Sequence, residues 1–185
     1  GSGTIPIEAA LYGHNIAPGI NRSFISEQWV NLVPDGLSDE VRDEADALAN
    51  YDIELDIHGY DIDQNMIDIA QENSRAAGLT HDITFKQLAV KDWQTSKVNG
   101  VIVANPPYGE RLSDKESVHE LYRQMGELYR PLTTWSKYIL TADMEFEKYY
   151  GTPATKRRKL YNGALRTDLY QYWGKKDRSK IKTLK

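Results

Sequence analysis

The chain has 185 residues, of which 40% are hydrophobic, enough to bury the core of one domain of ordinary size. No apolar run approaches the roughly 18 residues that a membrane-spanning helix needs, and no secretory signal opens the chain, so the sequence predicts a soluble, cytoplasmic protein without a membrane segment. Because it has no cysteine and only four scattered histidines, we expect neither disulfides nor a bound metal.

The net charge of -4 conceals a strong asymmetry along the chain. Residues 156–185 carry 11 Lys or Arg and two Asp, for a net charge of +9, whereas residues 1–155 carry -13. A basic end on an acidic body is compatible with contacts to nucleic-acid phosphates. We interpret residues 1–174 as one domain and residues 175–185 as a solvated basic tail.

The first four residues, Gly1-Ser2-Gly3-Thr4, lead into an apolar helical segment with Pro6 in its first turn. Glycines at this spacing let the backbone approach a ligand, and the helix start offers free N–H groups to a nucleotide. A leading Gly-Ser-Gly is also typical of an expression tag, but here the helix follows without a linker. Since a loop of this kind follows a strand, we expect the first strand of the sheet to lie upstream.

Residues 16–50 interrupt the α/β pattern and contain several proline and glycine breakers. Phe24 and Trp29 are the expected apolar anchors of this stretch. Ser38 is the expected N-cap of a charged helix from Asp39 to Asn50. The stretch is too long for a plain connection, so we interpret it as an insertion, either a functional lid or a segment packed on the domain.

A strand is predicted over Ile57–Asp61, followed by a helix from Asp63, its N-cap, to Ala77, with Gly78 just beyond the end. Asp61 lies at the carboxyl end of the strand, where an acidic residue can accept hydrogen bonds from both hydroxyls of a ribose. Asp61 is separated from the glycine loop by more than the usual ~20 residues of sequence, and the insertion over residues 16–50 accounts for the excess. The expected core stripe of the helix consists of Met66, Ile69, Ala70, Asn73 and Ala77.

The stretch Asn105-Pro106-Pro107-Tyr108 carries the most specific chemical signal. It follows the apolar run Val101–Ala104, a predicted buried strand that the prolines end, so Asn105 lies where open α/β sheets bind ligands. The Asn105 side-chain oxygen and the Pro106 carbonyl are two acceptors beside the flat Tyr108 ring. Such a site fits a planar amino group, since two fixed acceptors favour the tetrahedral nitrogen that develops during attack. The alternative is an ordinary strand-ending turn.

The remaining sequence completes an alternating β/α pattern. We predict strands over 83–89 and 138–141, and a helix over 117–135 whose tyrosines and Met125 belong to the core. Asn162-Gly163 lies between two strand-like runs and indicates a hairpin. The sequence therefore predicts an α/β fold with a mostly parallel sheet and one antiparallel strand from a C-terminal hairpin.

Several motifs occur together in a pattern that extends over nearly the whole chain. They are Gly-Ser-Gly-Thr at 1–4, Asn21-Arg22-Ser23-Phe24, Glu27-Gln28-Trp29, Asp61-Ile62-Asp63 and Asn-Pro-Pro-Tyr-Gly-Glu-Arg-Leu at 105–112. With them the chain resembles the catalytic domain of the bacterial THUMP-containing methyltransferases, the ribosomal RNA large-subunit methyltransferase K/L family. Some members of this family carry the older label of adenine-specific DNA methylases. Gly-Glu-Arg-Leu after Asn-Pro-Pro-Tyr narrows the resemblance to the ribosomal RNA group.

The resemblance implies a Rossmann-like class I methyltransferase fold that uses S-adenosylmethionine, with an N-terminal THUMP RNA-binding domain in the full-length protein. It implies three groups of site residues: Gly1, Ser2, Gly3 and Thr4 around the methionine part, Asp61, Ile62 and Ala89 around the ribose and adenine, and Asn105, Pro106, Pro107 and Tyr108 around the target amine. Asn105 is expected to contact the cofactor as well. The family's strand and acidic residue before the glycine loop are absent. Many relatives have Asp at the position of Ala89, so adenine recognition there falls to Asp92 or to backbone N–H groups.

The leading functional hypothesis is methyl transfer to the N2 amine of a guanine in large-subunit (23S) ribosomal RNA, with the base flipped out and stacked on Tyr108. The enzymatic alternative is adenine N6 in DNA or RNA, because the same acceptor pair serves either amine. A non-catalytic RNA-binding module is the alternative from another class. Candidate phosphate contacts are Arg111, Lys156, Arg157 and Arg158, which ordinary surface charge explains equally well.

Overall fold

The computed structural model describes residues 1–108 and 112–175. The chain divides into two compact units, Gly1–Leu88 and Ala89–Lys185. The elements of the first unit are α1 (Thr4–Gly13), α2 (Leu37–Ala47), β1 (Ile57–Asp61), α3 (Gln64–Ala76) and β2 (Ile83–Gln87). Those of the second are β3 (Gly100–Ala104), α4 (Leu112–Tyr129), β4 (Trp135–Thr141), α5 (Phe146–Tyr150), β5 (Lys156–Asn162) and β6 (Leu165–Tyr172). Of the helices in the described ranges, none is both long and apolar enough to cross a membrane.

The first unit is built on the parallel pair β1 and β2, whose register runs from Ile57 opposite Ile83 to Asp61 opposite Gln87. Helices α1 and α3 contact both strands. The buried side chains of this core are those of Ile7, Ala10, Leu79 and Ile83. The predicted strand over Ile57–Asp61 and the predicted helix after the glycine loop are both confirmed.

Helix α3 has the caps that the sequence predicts. The Asn65 N–H donates to the Asp63 carboxylate at 2.9 Å, and Gly78 just beyond the helix has a φ of 77°. The predicted core stripe is partly correct: Ala70 is buried and Ala77 packs against the core, but Ile67 and Ser74 are buried as well, and Ile69 is exposed. Ser74 can be buried because its hydroxyl donates to the Leu79 carbonyl at 2.8 Å.

In the predicted insertion, the helix begins earlier than expected. Helix α2 starts at Leu37, and Gly36, with a φ of 82°, occupies the N-cap position that was predicted for Ser38. The left-handed conformation turns the chain after Pro34, and glycine adopts it without a steric penalty. Phe24 and Trp29, the expected apolar anchors, are both exposed in the described chain.

His14, at the C-terminal end of α1, holds the two ends of the predicted insertion together. Its buried ring places Nδ1 3.0 Å from the Asn50 carbonyl oxygen and Nε2 2.7 Å from Asp82 Oδ1. The Asn50 N–H donates in turn to the His14 carbonyl at 2.7 Å. Both ring nitrogens face acceptors, which favours the doubly protonated imidazolium. Burial lowers the pKa of His14, but the Asn50 carbonyl and Asp82 outweigh it and raise the pKa above 6.5.

The second unit contains one four-stranded sheet in the order β3-β4-β6-β5. Strands β3 and β4 are parallel, and β6 is antiparallel to both β4 and β5, so β6 is the one reversed strand. Gly163, with a φ of 60°, closes the predicted hairpin between β5 and β6. The predicted α/β class and the single antiparallel strand are confirmed. The strands of the two units form separate sheets.

An aromatic cluster forms the core of the second unit. The ring centroids of Tyr122, Phe146, Tyr150, Tyr170 and Tyr172 form a series of contacts at 4.6–5.1 Å, with Met125 and Ile139 buried among them. The predicted helix over 117–135 is too long at its end, because α4 stops at Tyr129 and Trp135 already belongs to β4. Pro131 explains the difference, since proline disfavours the helical conformation of the residue before it.

We expect the contribution of His14 to stability to depend on pH. Because its folded pKa is raised, the stabilisation is fully present below the unfolded pKa of about 6.5 and is lost as the pH rises through the folded value. Urea unfolding of the wild type and of His14→Gln at pH 5.5 and pH 8.5 measures this. The variant should lose about 1–3 kcal/mol at pH 5.5 and less at pH 8.5. A difference that is equal at the two pH values would contradict the assignment.

Candidate active site

The glycine loop is attached to both β1 and α3. The Gly1 nitrogen donates to Asp61 Oδ2, and Asn73 Nδ2 donates to the Ser2 carbonyl at 2.9 Å. The Ser2 and Thr4 hydroxyl oxygens lie 3.2 Å apart. Gly3 has a φ of 82°, and a Cβ added there would lie 2.9 Å from the Ala70 Cβ. The loop therefore requires glycine at residue 3, both for its backbone conformation and for its close approach to α3.

Asp61 is the last residue of β1, and its carboxylate is an acceptor in the ionised state. Besides the Gly1 nitrogen it accepts the Asp63 N–H at 2.9 Å, while its side chain remains 22% exposed. Desolvation on its own would raise the pKa of Asp61, but the charged amino group of Gly1 and the N–H groups of Asp63 and Ile62 outweigh it and lower the pKa. An ionised carboxylate with remaining exposure suits the binding of sugar hydroxyls, as the sequence predicts for this residue.

Ile62 and Ala89, the two residues predicted to contact adenine, have different surroundings. The Ile62 side chain is 71% exposed, and its carbonyl accepts a hydrogen bond from Gln87 Nε2 at 2.9 Å. Ala89 lies at the start of the second unit, where its carbonyl accepts the Asp92 N–H at 3.0 Å. An exposed apolar side chain beside Asp61 offers a flat base a surface on which to pack.

The Asn105-Pro106-Pro107-Tyr108 turn follows β3 directly, as predicted. Asn105 is exposed and Tyr108 half-buried, and the Tyr108 hydroxyl donates to Asn105 Oδ1 at 2.6 Å. Burial raises the pKa of Tyr108, although the bond to Asn105 opposes the shift. A carbonyl oxygen has two lone pairs, so Asn105 Oδ1 can accept a second hydrogen bond while Tyr108 is in place.

The predicted phosphate contacts differ in how their charges are paired. Arg157 donates to the buried Asp168 carboxylate at 2.6 Å, and its guanidinium carbon lies 4.7 Å from the centre of the Tyr170 ring. Its charge is thus neutralised within the fold. Lys156 and Arg158 are exposed and form no ion pair with another residue in the described ranges. Arg111 lies outside the described residues.

Sequence reasoning missed one residue of this site, Tyr122 of α4. Its hydroxyl donates to the Pro107 carbonyl at 3.4 Å and lies 2.9 Å from Thr141 Oγ1. The sequence pattern shows only that Tyr122 shares a helix face with Met125 and Tyr129, which is typical of a core residue. Nothing in the sequence around Tyr122 indicates that its hydroxyl contacts Pro107. No cluster of metal-ligating side chains occurs in the described part of the chain.

The fold is that of a class I methyltransferase. The solved structure of SMU.472, crystallised with S-adenosylhomocysteine (SAH), matches 95% of this chain and 46% of its own with a TM-score of 0.91 and 52% identity. The chain belongs to the UPF0020 family, RMKL-like methyltransferase domain, whose family model matches residues 1–171. The cofactor of this class is S-adenosylmethionine (SAM), and the partly exposed Asp61 carboxylate, the exposed apolar side chain of Ile62 and the glycine loop fit it.

Curated relatives lie in the same family. The chain is 54% identical to the Bacillus subtilis protein described as "Putative RNA methyltransferase YpsC" over 95% of this chain and 45% of that protein. It is 37% identical to a ribosomal RNA large subunit methyltransferase K/L of Shewanella amazonensis over 89% of this chain and 24% of that protein. The chain therefore spans less than half the length of these relatives.

We expect Asp61→Asn to weaken SAH binding about 10- to 100-fold, because a charge-assisted hydrogen bond is worth about 1.5–3 kcal/mol. Isothermal titration calorimetry of SAH with the intact protein measures the change. Asp63→Asn is the matched control, since it removes the neighbouring charge and asparagine is an equally good N-cap. Equal SAH affinity in the wild type and Asp61→Asn would exclude Asp61 from the cofactor site.

Proposed function

We propose that the chain forms the catalytic part of an RNA methyltransferase that methylates the N2 amine of a guanine in large-subunit ribosomal RNA. The observation that carries this proposal is Asn105, exposed at the carboxyl end of a parallel strand and followed by two prolines and a half-buried tyrosine. The Shewanella relative, a ribosomal RNA large subunit methyltransferase K/L, supports a ribosomal RNA substrate. With such a substrate, we propose that the protein acts in the cytoplasm.

Three residues of the turn have separate roles in the proposed reaction. Asn105 Oδ1 and the Pro106 carbonyl accept the two N–H groups of the amine, and the Tyr108 ring stacks on the flipped base. SAM, when bound, supplies an electrophilic methyl carbon on a sulfonium. The amine nitrogen would accept this methyl group as the sulfonium becomes a thioether, and it would release one proton to solvent. The two acceptors localise the nitrogen lone pair for this attack, so the turn needs no strong base.

Adenine N6 methylation is the second candidate. A solved structure from Listeria monocytogenes, described as "a predicted N6-adenine-specific DNA methylase", is 57% identical over 95% of this chain and 45% of its own, with a TM-score of 0.88. Both amines are exocyclic NH2 groups on a flat base, and the acceptor pair at Asn105 and Pro106 fits either. The nucleoside that carries the methyl group distinguishes the two candidates.

The length of the relatives supports a further RNA-binding part. Because the chain spans 24–45% of these proteins, we propose that a THUMP domain preceding it in the full-length protein binds the RNA. Lys156 and Arg158 on the edge strand β5 would then add phosphate contacts near the catalytic part. Arg157 and Arg111 belong to the same proposed set, although the ion pair with Asp168 makes Arg157 the weaker candidate.

Replacing Asn105 with Ala should reduce methyl transfer to ribosomal RNA by at least about 100-fold, because a preorganised hydrogen-bonding group in an active site is typically worth that much. Mass analysis of nucleosides, after incubation of the intact protein with SAM and large-subunit RNA, should show N2-methylguanosine. SAH affinity should be unchanged, and Asn65→Ala on the exposed surface of α3 is the control. Methylated adenosine would favour the second candidate, and full activity of Asn105→Ala would remove Asn105 from the mechanism.

Replacing both Lys156 and Arg158 with Ala should make RNA binding less salt-dependent. If each residue neutralises one phosphate, the slope of log K against log salt should fall by about 1 for each substitution. Fluorescence anisotropy of the intact protein with a labelled RNA, from 50 to 200 mM salt, measures the slope. Lys86→Ala, an exposed lysine on β2, is the control. A slope unchanged in the double variant would show that these two residues are ordinary surface charges.

A further inference from the structure

The Pro107 carbonyl is tied to the core of the second unit by the buried Tyr122. The Tyr122 side chain is 0% exposed, and its hydroxyl donates to the Pro107 carbonyl at 3.4 Å. We propose that Tyr122, supported by Thr141, is a positioning residue that sets the orientation of the Pro106 carbonyl toward the target amine. The inference rests on the proposed amine methylation and concerns a residue that does not itself touch the substrate.

The hydrogen bonds around Tyr122 have one consistent direction. The Pro107 carbonyl can only accept, and the Asp143 N–H, 3.0 Å from Thr141 Oγ1, can only donate. The two hydroxyls between these ends lie 2.9 Å apart. Each of these groups has a partner within the fold when the Thr141 hydroxyl donates to Tyr122 and the Tyr122 hydroxyl donates to Pro107. In this arrangement Thr141, at the end of β4, directs the Tyr122 proton toward Pro107.

The surroundings of Tyr122 restrict its ring. The ring packs edge-on against Phe146 with the centroids 4.8 Å apart, and both side chains are fully buried. Burial raises the pKa of Tyr122 to about 12, so its hydroxyl retains its proton at neutral pH and remains a donor. The hydroxyl is thus a fixed donor that points at the turn after β3.

The link from Pro107 to Pro106 follows from proline geometry. The Pro107 ring fixes φ near -65°, and the bond from Tyr122 fixes the direction of the Pro107 carbonyl. The peptide between Pro106 and Pro107 is then held from its C-terminal side, and this peptide carries the Pro106 carbonyl oxygen. Because small misplacements of a reacting group lower the rate steeply, loss of this bond should affect turnover more than binding.

The test compares Tyr122→Phe with Tyr172→Phe. Tyr172 is a suitable control because it is a buried tyrosine of the same core whose hydroxyl also donates to a backbone carbonyl, that of Thr152, at 3.1 Å. In the intact protein, Tyr122→Phe should lower kcat for RNA methylation about 10-fold while KM for RNA and Kd for SAH stay within 2-fold. Tyr172→Phe should leave kcat within 2-fold. Equal kcat in Tyr122→Phe and the wild type would overturn the proposal, as would equal losses in the two variants.

A double-mutant cycle with Thr141→Val distinguishes positioning of the turn through Tyr122 from a general loss of packing in the core. If Thr141 acts through the Tyr122 proton, Thr141→Val should lower kcat and the double variant should be no worse than Tyr122→Phe alone. Losses that multiply in the double variant would show that the two hydroxyls act independently, which contradicts the chain of hydrogen bonds.

A readout independent of methylation distinguishes failure of this inference from failure of the proposed function. The 13C chemical shift of the Pro107 carbonyl, which accepts the bond, should change in Tyr122→Phe and stay unchanged in Tyr172→Phe. A wild-type protein that methylates no base but shows this difference would refute the proposed function and retain the positioning role. An unchanged Pro107 shift in Tyr122→Phe would refute the positioning role even if the wild type is active.

Discussion

The consecutive prolines after β3 are the constraint on which the proposed amine-binding turn depends. Neither proline can donate to a strand ladder, so pairing stops at Ala104 and the backbone acceptors beyond it are released from the sheet. Parallel strands bring such ends to one edge of the sheet, which is where α/β proteins bind their ligands. In the second unit the turn leaves the strand with Asn105 exposed and is tied back to the core through Pro107. Rigid covalent geometry and one buried hydroxyl together hold the turn that we propose binds the amine.

In the first unit, hydrogen bonds and close packing hold the glycine loop in place. Its glycine loop is held by hydrogen bonds to β1 and α3, and the close approach of Gly3 to Ala70 leaves no space for a side chain. The Asp61 carboxylate organises the loop and the start of α3 at once, since it accepts from the Gly1 nitrogen and from the Asp63 N–H. A cofactor hydroxyl at Asp61 would therefore meet a carboxylate that the fold already orients.

Local signals account for most of what the sequence predicted correctly. The strand over Ile57–Asp61, the Asp63 cap and the Asn162-Gly163 hairpin each depend on a few neighbouring residues. The incorrect predictions concern features that depend on tertiary structure. Gly36 replaced Ser38 as the N-cap because the chain needed a left-handed turn there, and the core stripe of α3 shifted because Ser74 finds a partner in Leu79. The ion pair of Arg157 with Asp168 and the contact of Tyr122 with Pro107 join residues that are 11 and 15 positions apart. No periodicity in the sequence indicates either contact.

The reciprocal bonds between His14 and Asn50 have a consequence for the segment between them. They fasten the exit of α1 to the far end of a segment of more than thirty residues, so that segment leaves and rejoins the fold at one point. The entropic cost of closing such a loop grows only slowly with its length. The length of its interior can therefore change at a small cost in stability while the strands on either side keep their register.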